Sequence, residues 1–410
     1  MSMQKSISAY LLTYFLVSLL LSISIFARLL LVSTPVTNAE WFNLILYDLY
    51  YYVMPAIAAT FLILMWCKQK SKRQQKNPKH SEVLLPVLAI ALLSFNALLY
   101  GYLDLFPIPS PLKYAAFSAL APLMLCFYIK WRKPQNTYLD RKVAAALIII
   151  IIIMPYASAF ASFDHILSTV REINGNSGRI AYVSGYVLYT TMSIWQNNEY
   201  VTLHRAQNDF WKYLMLGVGG CGEMAIVSKQ FFDRLGVESR IIAFPGEDHS
   251  FVEAKLNGTW MVADTGYYGS ELLTREERGL KRIEEFGGLS YVIAYEDNMF
   301  VELTQYYVPT DTVIVRVTYG SEPLANAEIL LKHIFLGRET RLPDQEHTFY
   351  SDGNGTVELH IGSMTYNEKA GSVEPYYWIY VNGLNTGHNV TSTGSGKAHY
   401  IEIDVLKLLK

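Results

Sequence analysis

Three residues of this chain have side-chain types and an order that could perform nucleophilic chemistry: Cys221, His249 and Asp264. A thiol can attack an amide carbonyl, an imidazole can take up and return the proton, and a carboxylate can fix the imidazole's tautomer and orientation. Cys221 stands in Gly219-Gly220-Cys221-Gly222, where the absence of side chains lets backbone amides approach a ligand. The apolar spacing predicts a helix starting at the cysteine, with Met224, Val227, Ser228, Phe231 and Leu235 as its buried stripe and Gly236 as its left-handed stop. A sulfur at a helix amino terminus meets unpaired N–H groups and the positive end of the macrodipole, both of which stabilise an anionic nucleophile.

The elements that must carry the other two residues are legible from one turn. Strands are expected over 237–244, 249–256 and 259–264, the last two joined by Asn257-Gly258, the strongest short hairpin signal. A two-residue turn fixes the register, pairing Leu256 with Thr259, Glu253 with Val262 and Phe251 with Asp264. His249 lies two residues before Phe251 and so on the same face, a diagonal neighbour of Asp264 at a Cα separation of roughly 7 to 8 Å.

This layout resembles the transglutaminase-like superfamily, with its papain-like core. The residues carrying the likeness are Gly220-Cys221-Gly222-Glu223-x-Ala225, Leu235-Gly236-Val237-x-x-Arg240, Asp248-His249-x-Phe251-x-Glu253, Gly258-x-Trp260 and Asp264. The resemblance implies an α+β domain in which Cys221 is the nucleophile, His249 the general base and acid, and Asp264 the residue that orients the imidazole. It covers about 50 residues directly and about 100 as a domain, by the usual extent of such a core. The Cys-Gly-Glu form looks more like microbial members and peptide N-glycanases, although the glycanases' zinc cysteines are missing. Phe251 stands where many members carry Trp. Trp211 is the one candidate for a second oxyanion donor beside the Cys221 amide.

The rest of the chain is divided by charge. Residues 1–163 carry a net charge of +9, from 14 Lys/Arg against 5 Asp/Glu, and the remainder carries −11, from 20 against 31. An acidic second half argues against a nucleic-acid partner. In the first part, five apolar runs, 6–27, 49–67, 83–103, 114–129 and 143–163, suit helices crossing a bilayer of about 30 Å. Lys68, Lys70, Lys72, Arg73, Lys76 and Lys79 follow the second run, and Lys130, Arg132, Lys133, Arg141 and Lys142 follow the fourth. By the positive-inside rule the amino terminus is then cytoplasmic and everything after Phe163 extracytoplasmic. The first run is read as an uncleaved span, because Ser24-Ile25-Phe26-Ala27 before Arg28 is a poor cleavage site. Arg28, Asp48 and Asp104 stand near span ends, where the interface can solvate them, so the spans are expected to anchor the chain and not to form a pathway. A short helix is expected over 164–173. The stretch 179–196 reads either as a buried helix of a soluble domain or as a sixth crossing.

Beyond Thr304 the pattern changes to short alternating strands, 312–319, 327–333, 348–351, 356–361, 376–381 and 400–405, the signature of a β-sandwich. The turns around Leu324-Ala325-Asn326-Ala327 and 351–356 resemble immunoglobulin-like or prealbumin-like modules. Asp352, Asn354 and Glu358 are read as a solvated turn in preference to a calcium site. Cys67 and Cys126 lie in apolar runs, and no CxxC pair or His/Cys cluster suggests a metal or other cofactor. The expectation is a multi-domain membrane protein: a five-helix transmembrane region (1–163), a transglutaminase-like domain (164–303) and an all-β sandwich (304–410). Its function would be that of a thiol enzyme acting on peptide or protein amides through an acyl-thioester. The alternative is an inactive surface binding or sensor protein on the same fold.

Overall fold

The computed structural model describes residues 3–30, 37–72, 141–194, 199–206, 209–296, 299–335, 338–342, 349–364 and 376–409. Two compact units partition the chain. One comprises Met1–Glu172 with Tyr189–Glu223, the other Ile173–Leu188 with Met224–Lys410.

The first unit is helical. Three described helices are long and apolar enough to cross a membrane, over Ala9–Arg28, Glu40–Leu64 and Ile149–Arg171. They belong to α1 (Met3–Leu30), to the run of α2 (Thr37–Asp48), a π-helical turn (Leu49–Val53) and α3 (Met54–Lys72), and to α4 (Arg141–Arg171). On α1, Leu12, Leu16, Leu20, Ile23 and Phe26 are exposed at steps of three and four residues, one continuous apolar stripe. The opposite side buries Tyr14, Ser18 and Ser22. Apolar outside and hydroxyl-bearing inside is the arrangement of a bundle whose solvent is hydrocarbon.

Prolines explain two local features. Pro155 has no N–H to give the Ile151 carbonyl, which instead accepts from Ser18 Oγ at 3.2 Å and Tyr50 OH at 2.5 Å. Pro55 would crowd the carbonyl of Tyr51 four residues earlier, and the ladder there widens into the π-helical turn.

Several sequence expectations change here. The second span starts at Glu40 and not at residue 49, because Asn43 and Asp48 are satisfied by partners inside the unit. Asn43 donates to the Met215 carbonyl at 3.3 Å and accepts from Ser24, and Asp48 accepts from Tyr200 OH and contacts His204 Nε2 at 2.6 Å. Arg28 is likewise buried and not solvated at an interface. The expected short helix 164–173 is the continuation of α4, which carries the fifth run on to Arg171. The third and fourth runs, and Asp104, lie outside the described residues.

The stretch 179–196 falls mainly in α5 (Asn176–Tyr189), which has 14 residues, too few for a crossing, and is followed by the two-residue strand β1 (Met192–Ser193). Its Tyr186 packs edge-on against Phe231 inside the second unit, ring centroids 5.7 Å apart.

The second unit is largely β. A five-stranded antiparallel sheet has the order β5-β4-β3-β6-β7, formed by β3 (Ser239–Phe244), β4 (His249–Leu256), β5 (Thr259–Ala263), β6 (Ile293–Glu296) and β7 (Met299–Glu302). One face carries α10 (Arg275–Phe286), opened by a capping box between Thr274 and Glu277. Its Gly279 lies so close to the Tyr307 carbonyl that no Cβ fits.

Two further sheets follow, built from the strands β8 to β16, among them β9 (Glu322–Pro323), β11 (Arg338–Leu342), β12 (Phe349–Tyr350), β13 (Thr356–Gly362) and β15 (Leu384–Val390); their orders are β11-β10-β14-β15 and β13-β8-β16, with β12 and β9 at their margins. They bury one cluster between them, including Val313, Val315 and Val317 of β8 (Thr310–Tyr319), Ile329 and Leu331 of β10 (Glu328–Phe335), and Ile379 and Val381 of β14 (Tyr377–Val381). β16 (Ala398–Asp404) runs parallel to β8, which alternation alone does not reveal. Asp311 fixes that register: its carboxylate accepts from the backbone N–H groups of Thr393, Ser395 and Lys397 at 2.8 to 2.9 Å, just before β16. Burial would raise the Asp311 carboxyl, but these three donors outweigh it and hold it below its usual range. Asp352 Oδ1 accepts from the N–H groups of Asn354 and Thr356, an ordinary Asx turn.

Candidate functional site

Cys221 is the first residue of α8 (Cys221–Arg234) and is partly accessible. Its position is set by the segment before it. After the short α6 (Glu199–Leu203), α7 (Phe210–Leu216) ends on Gly217, in the left-handed conformation at φ 68°, where any Cβ would strike the Arg28 guanidinium and the Thr190 carbonyl. β2 (Val218–Gly219) then pairs in parallel with β1. Gly219 is required because a Cβ there would stand 2.6 Å from the Glu223 Cβ.

Glu223 is buried and closes the helix start. One carboxylate oxygen accepts from the Gly220 N–H at 2.9 Å, as in a capping box, and the other from Arg205 Nε at 2.5 Å. Among the motif positions, Glu223 has a role that the fold reveals. The signal for its role is the three-residue spacing from Gly220. Trp211, the oxyanion candidate, packs on Phe160 and Phe163 of α4, with centroids 4.0 and 6.4 Å away, and so serves the helical unit.

His249 and Asp264 are brought together in the second unit. The register of β4 with β5 is the one the Asn257-Gly258 turn demands, with both turn residues at positive φ, Leu256 opposite Thr259 and Glu253 opposite Val262. The ladder stops at Val252–Ala263, so Asp264 leaves the sheet as the N-cap residue of α9 (Thr265–Tyr268) and is not paired with Phe251. His249 Nε2 meets Asp264 Oδ2 at 2.9 Å, and both side chains are buried. The imidazole stacks edge-to-face with Tyr267 at 4.8 Å and lies near Phe251 at 5.6 Å.

What stands behind the carboxylate is not legible in the sequence. Arg278 Nε donates to the same Asp264 Oδ2 at 2.8 Å, and Arg278 is wholly buried among the rings of Phe244, Phe251, Tyr267 and Tyr268, each 5.1 to 5.7 Å from its guanidinium carbon. Burial tends to raise the Asp264 carboxyl, but His249 and Arg278 outweigh it and hold it below its usual range. The aspartate is thereby kept as the anion that an orienting acceptor must be.

Arg278 belongs to a series. Arg275, Arg278 and Arg282 recur at i, i+3 and i+7 on α10, and each clasps a different carboxylate of the sheet side: Glu253 at 2.5 Å, Asp264 at 2.8 Å and Glu247 at 2.5 Å. That spacing was the available signal, hidden because arginines are usually assigned to a wet face. Glu253 is fully buried and also accepts from Arg240 Nε at 2.8 Å and Tyr307 OH at 2.6 Å, while Trp260 lies under the Arg240 guanidinium at 4.2 Å. The motif positions Arg240, Glu253 and Trp260 thus form one packed cluster beside the dyad. Among the described residues no group of His, Cys, Asp and Glu has the arrangement of a metal site.

No protein-family model matches this chain, and no curated protein matches it.

Proposed function

We propose that the chain is a membrane-associated thiol enzyme of the transglutaminase-like kind, attacking peptide or protein amides through Cys221, His249 and Asp264. The observation that carries this reading is the Nε2 to Oδ2 hydrogen bond of 2.9 Å between His249 and Asp264, with Arg278 on the same oxygen. It commits Nε2 to the carboxylate, so proton exchange with a thiol falls to Nδ1. The position of Cys221 as the first helical residue supports its role as nucleophile. In the reaction the sulfur adds to the amide carbonyl, the imidazolium returns its proton to the departing amine, and a thioester remains. Water or a second amine then takes the acyl group, giving hydrolysis or transfer.

The further parts of the reading follow from charge and pattern. The basic residues from Lys68 to Lys79 favour a cytoplasmic amino terminus and an extracytoplasmic β-rich unit. The two C-terminal sheets are read as an immunoglobulin-like or prealbumin-like sandwich that spaces or binds. A reporter that is active only outside the cytoplasm, fused after Lys410, should be active, and an inactive but stable fusion reverses the sidedness.

The chemical test uses protein with Cys67→Ser and Cys126→Ser, and a peptide bearing an acrylamide in place of the scissile amide. Cys221→Ala should abolish labelling, and His249→Ala should slow it by about 100-fold or more, as loss of a general base does. Labelling of Cys221→Ala at the parent rate, or His249→Ala within about threefold of it, excludes the proposal.

A further inference from the structure

The thiol is mounted on the membrane helices through a short, traceable path. Arg28 stands two residues beyond Phe26, the last exposed apolar residue of α1 among those whose side chains are described. Its guanidinium donates to the carbonyls of Thr190 at 2.7 Å and Leu214 at 2.8 Å, with a longer bond to Tyr213 at 3.3 Å, and lies against Gly217.

The two other candidate spans reach the same segment. Asn43 of α2 donates to the Met215 carbonyl at 3.3 Å, and Phe160 of α4, itself exposed, packs at a tilt against Trp211, centroids 4.0 Å apart. Trp41 stacks on Tyr200 at 5.7 Å, and Tyr189 and Leu203 are exposed, so aromatic and apolar side chains gather where such a bundle leaves hydrocarbon for headgroups. Cys221 follows Gly217 by four residues, and four extended residues span at most about 14 Å. The nucleophilic sulfur is therefore held close to the apolar edge of the bundle through the contact of Arg28 with the Gly217 turn.

We propose that the substrate is a peptide tethered to the bilayer, whose scissile amide lies within roughly 14 Å of the Gly217 turn that the Arg28 guanidinium holds at the end of the first candidate span. This rests on the thiol-enzyme reading above for its chemistry and on the helical unit alone for its location. A site so placed gains from a substrate confined to the same surface, because tethering replaces a bimolecular encounter by an effective concentration that falls as the tether lengthens. Soluble proteins of the surroundings would present their amides without that gain.

The test uses the full chain with Cys67→Ser and Cys126→Ser in phosphatidylcholine vesicles. Two palmitoylated peptide acrylamides are compared, one with a spacer of about 3 residues (~10 Å) and one of about 12 residues (~40 Å) between acyl chain and acrylamide. The short spacer should label Cys221 at least as fast as the long one. Labelling about tenfold faster through the long spacer overturns the substrate assignment.

Location is read separately, by a bimane on Cys221 and lipids carrying a headgroup nitroxide. Quenching by about half or more is expected, and an unquenched bimane overturns the proposal whatever the labelling shows. Quenching without labelling by either probe sinks the thiol-enzyme reading and the substrate assignment with it. Labelling only through the long spacer sinks the assignment and leaves the enzyme.

Discussion

Arg28 in the helical unit and Arg278 in the β-rich unit are both closed to water, yet their partners differ in kind. Arg28 spreads its donors over backbone carbonyls of Thr190, Tyr213 and Leu214. Arg278 uses Nε on a carboxylate and lays the rest of its guanidinium against aromatic rings. Backbone carbonyls at helix ends are the acceptors that an apolar bundle has to spare, and a cation there fastens one segment to another. A sheet covered by a helix can set an arginine opposite an acid, and Arg278, together with His249, holds Asp264 ionised. The first arrangement places a residue, whereas the second tunes one.

The largest effect that would break this contrast comes from the β-rich unit. Asp264→Ala leaves Arg278 buried without its carboxylate and should cost about 3 to 5 kcal/mol in urea unfolding of the detergent-solubilised chain. Adding Arg278→Met should recover part of that loss, as expected for contacting residues. A cost below about 1 kcal/mol would mean that the pair does not hold the site together.

A second test asks whether the β-rich unit tolerates a buried charge at all when burial dominates. His333 of β10 is buried, and burial pushes its imidazole down to about 4. The folded value lies below the unfolded one near 6.5, so the unfolded chain binds the extra proton between them. Stability is then greatest above pH about 6.5 and falls by about 3 kcal/mol as the pH drops to about 4. Thermal melts of His333→Leu across that range should show a flatter pH dependence, and an unchanged slope assigns the effect elsewhere.

The smallest of the three concerns the helical unit. Arg28→Met removes the donors to the three carbonyls and should cost about 2 kcal/mol, with a parallel loss of Cys221 labelling as the Gly217 turn loosens. A stability loss with unchanged labelling would separate the two consequences and weaken the role of Arg28 in placing the thiol.

What could be read from sequence was what neighbouring residues decide among themselves. Asn257-Gly258 requires positive φ at both positions, and with that turn the pairing of β4 with β5 is settled. The glycines around Cys221 and the stripe from Met224 to Phe231 fixed the start of α8, since capping and periodicity are local. Three of the apolar runs announced, for the same reason, helices long and apolar enough to cross a membrane. The bounds of the second span were misplaced because Asn43 and Asp48 look too polar for a bundle until partners such as Met215 and His204, more than 150 residues away in the chain, are in view.

Only tertiary structure could decide the rest. Nothing near Arg278 in the chain says that it will meet Asp264, or that Arg275 and Arg282 will find Glu253 and Glu247, because a helix presents a face and the sheet beneath it supplies the acids. Arg28 could not be assigned to the carbonyls that seat the Gly217 turn, nor β16 to a parallel place beside β8, from any local pattern. Sequence determined the residues that could do chemistry and the turns that orient them. Packing across long stretches of chain decided which charges and backbone groups they meet, because those are properties of neighbours in space.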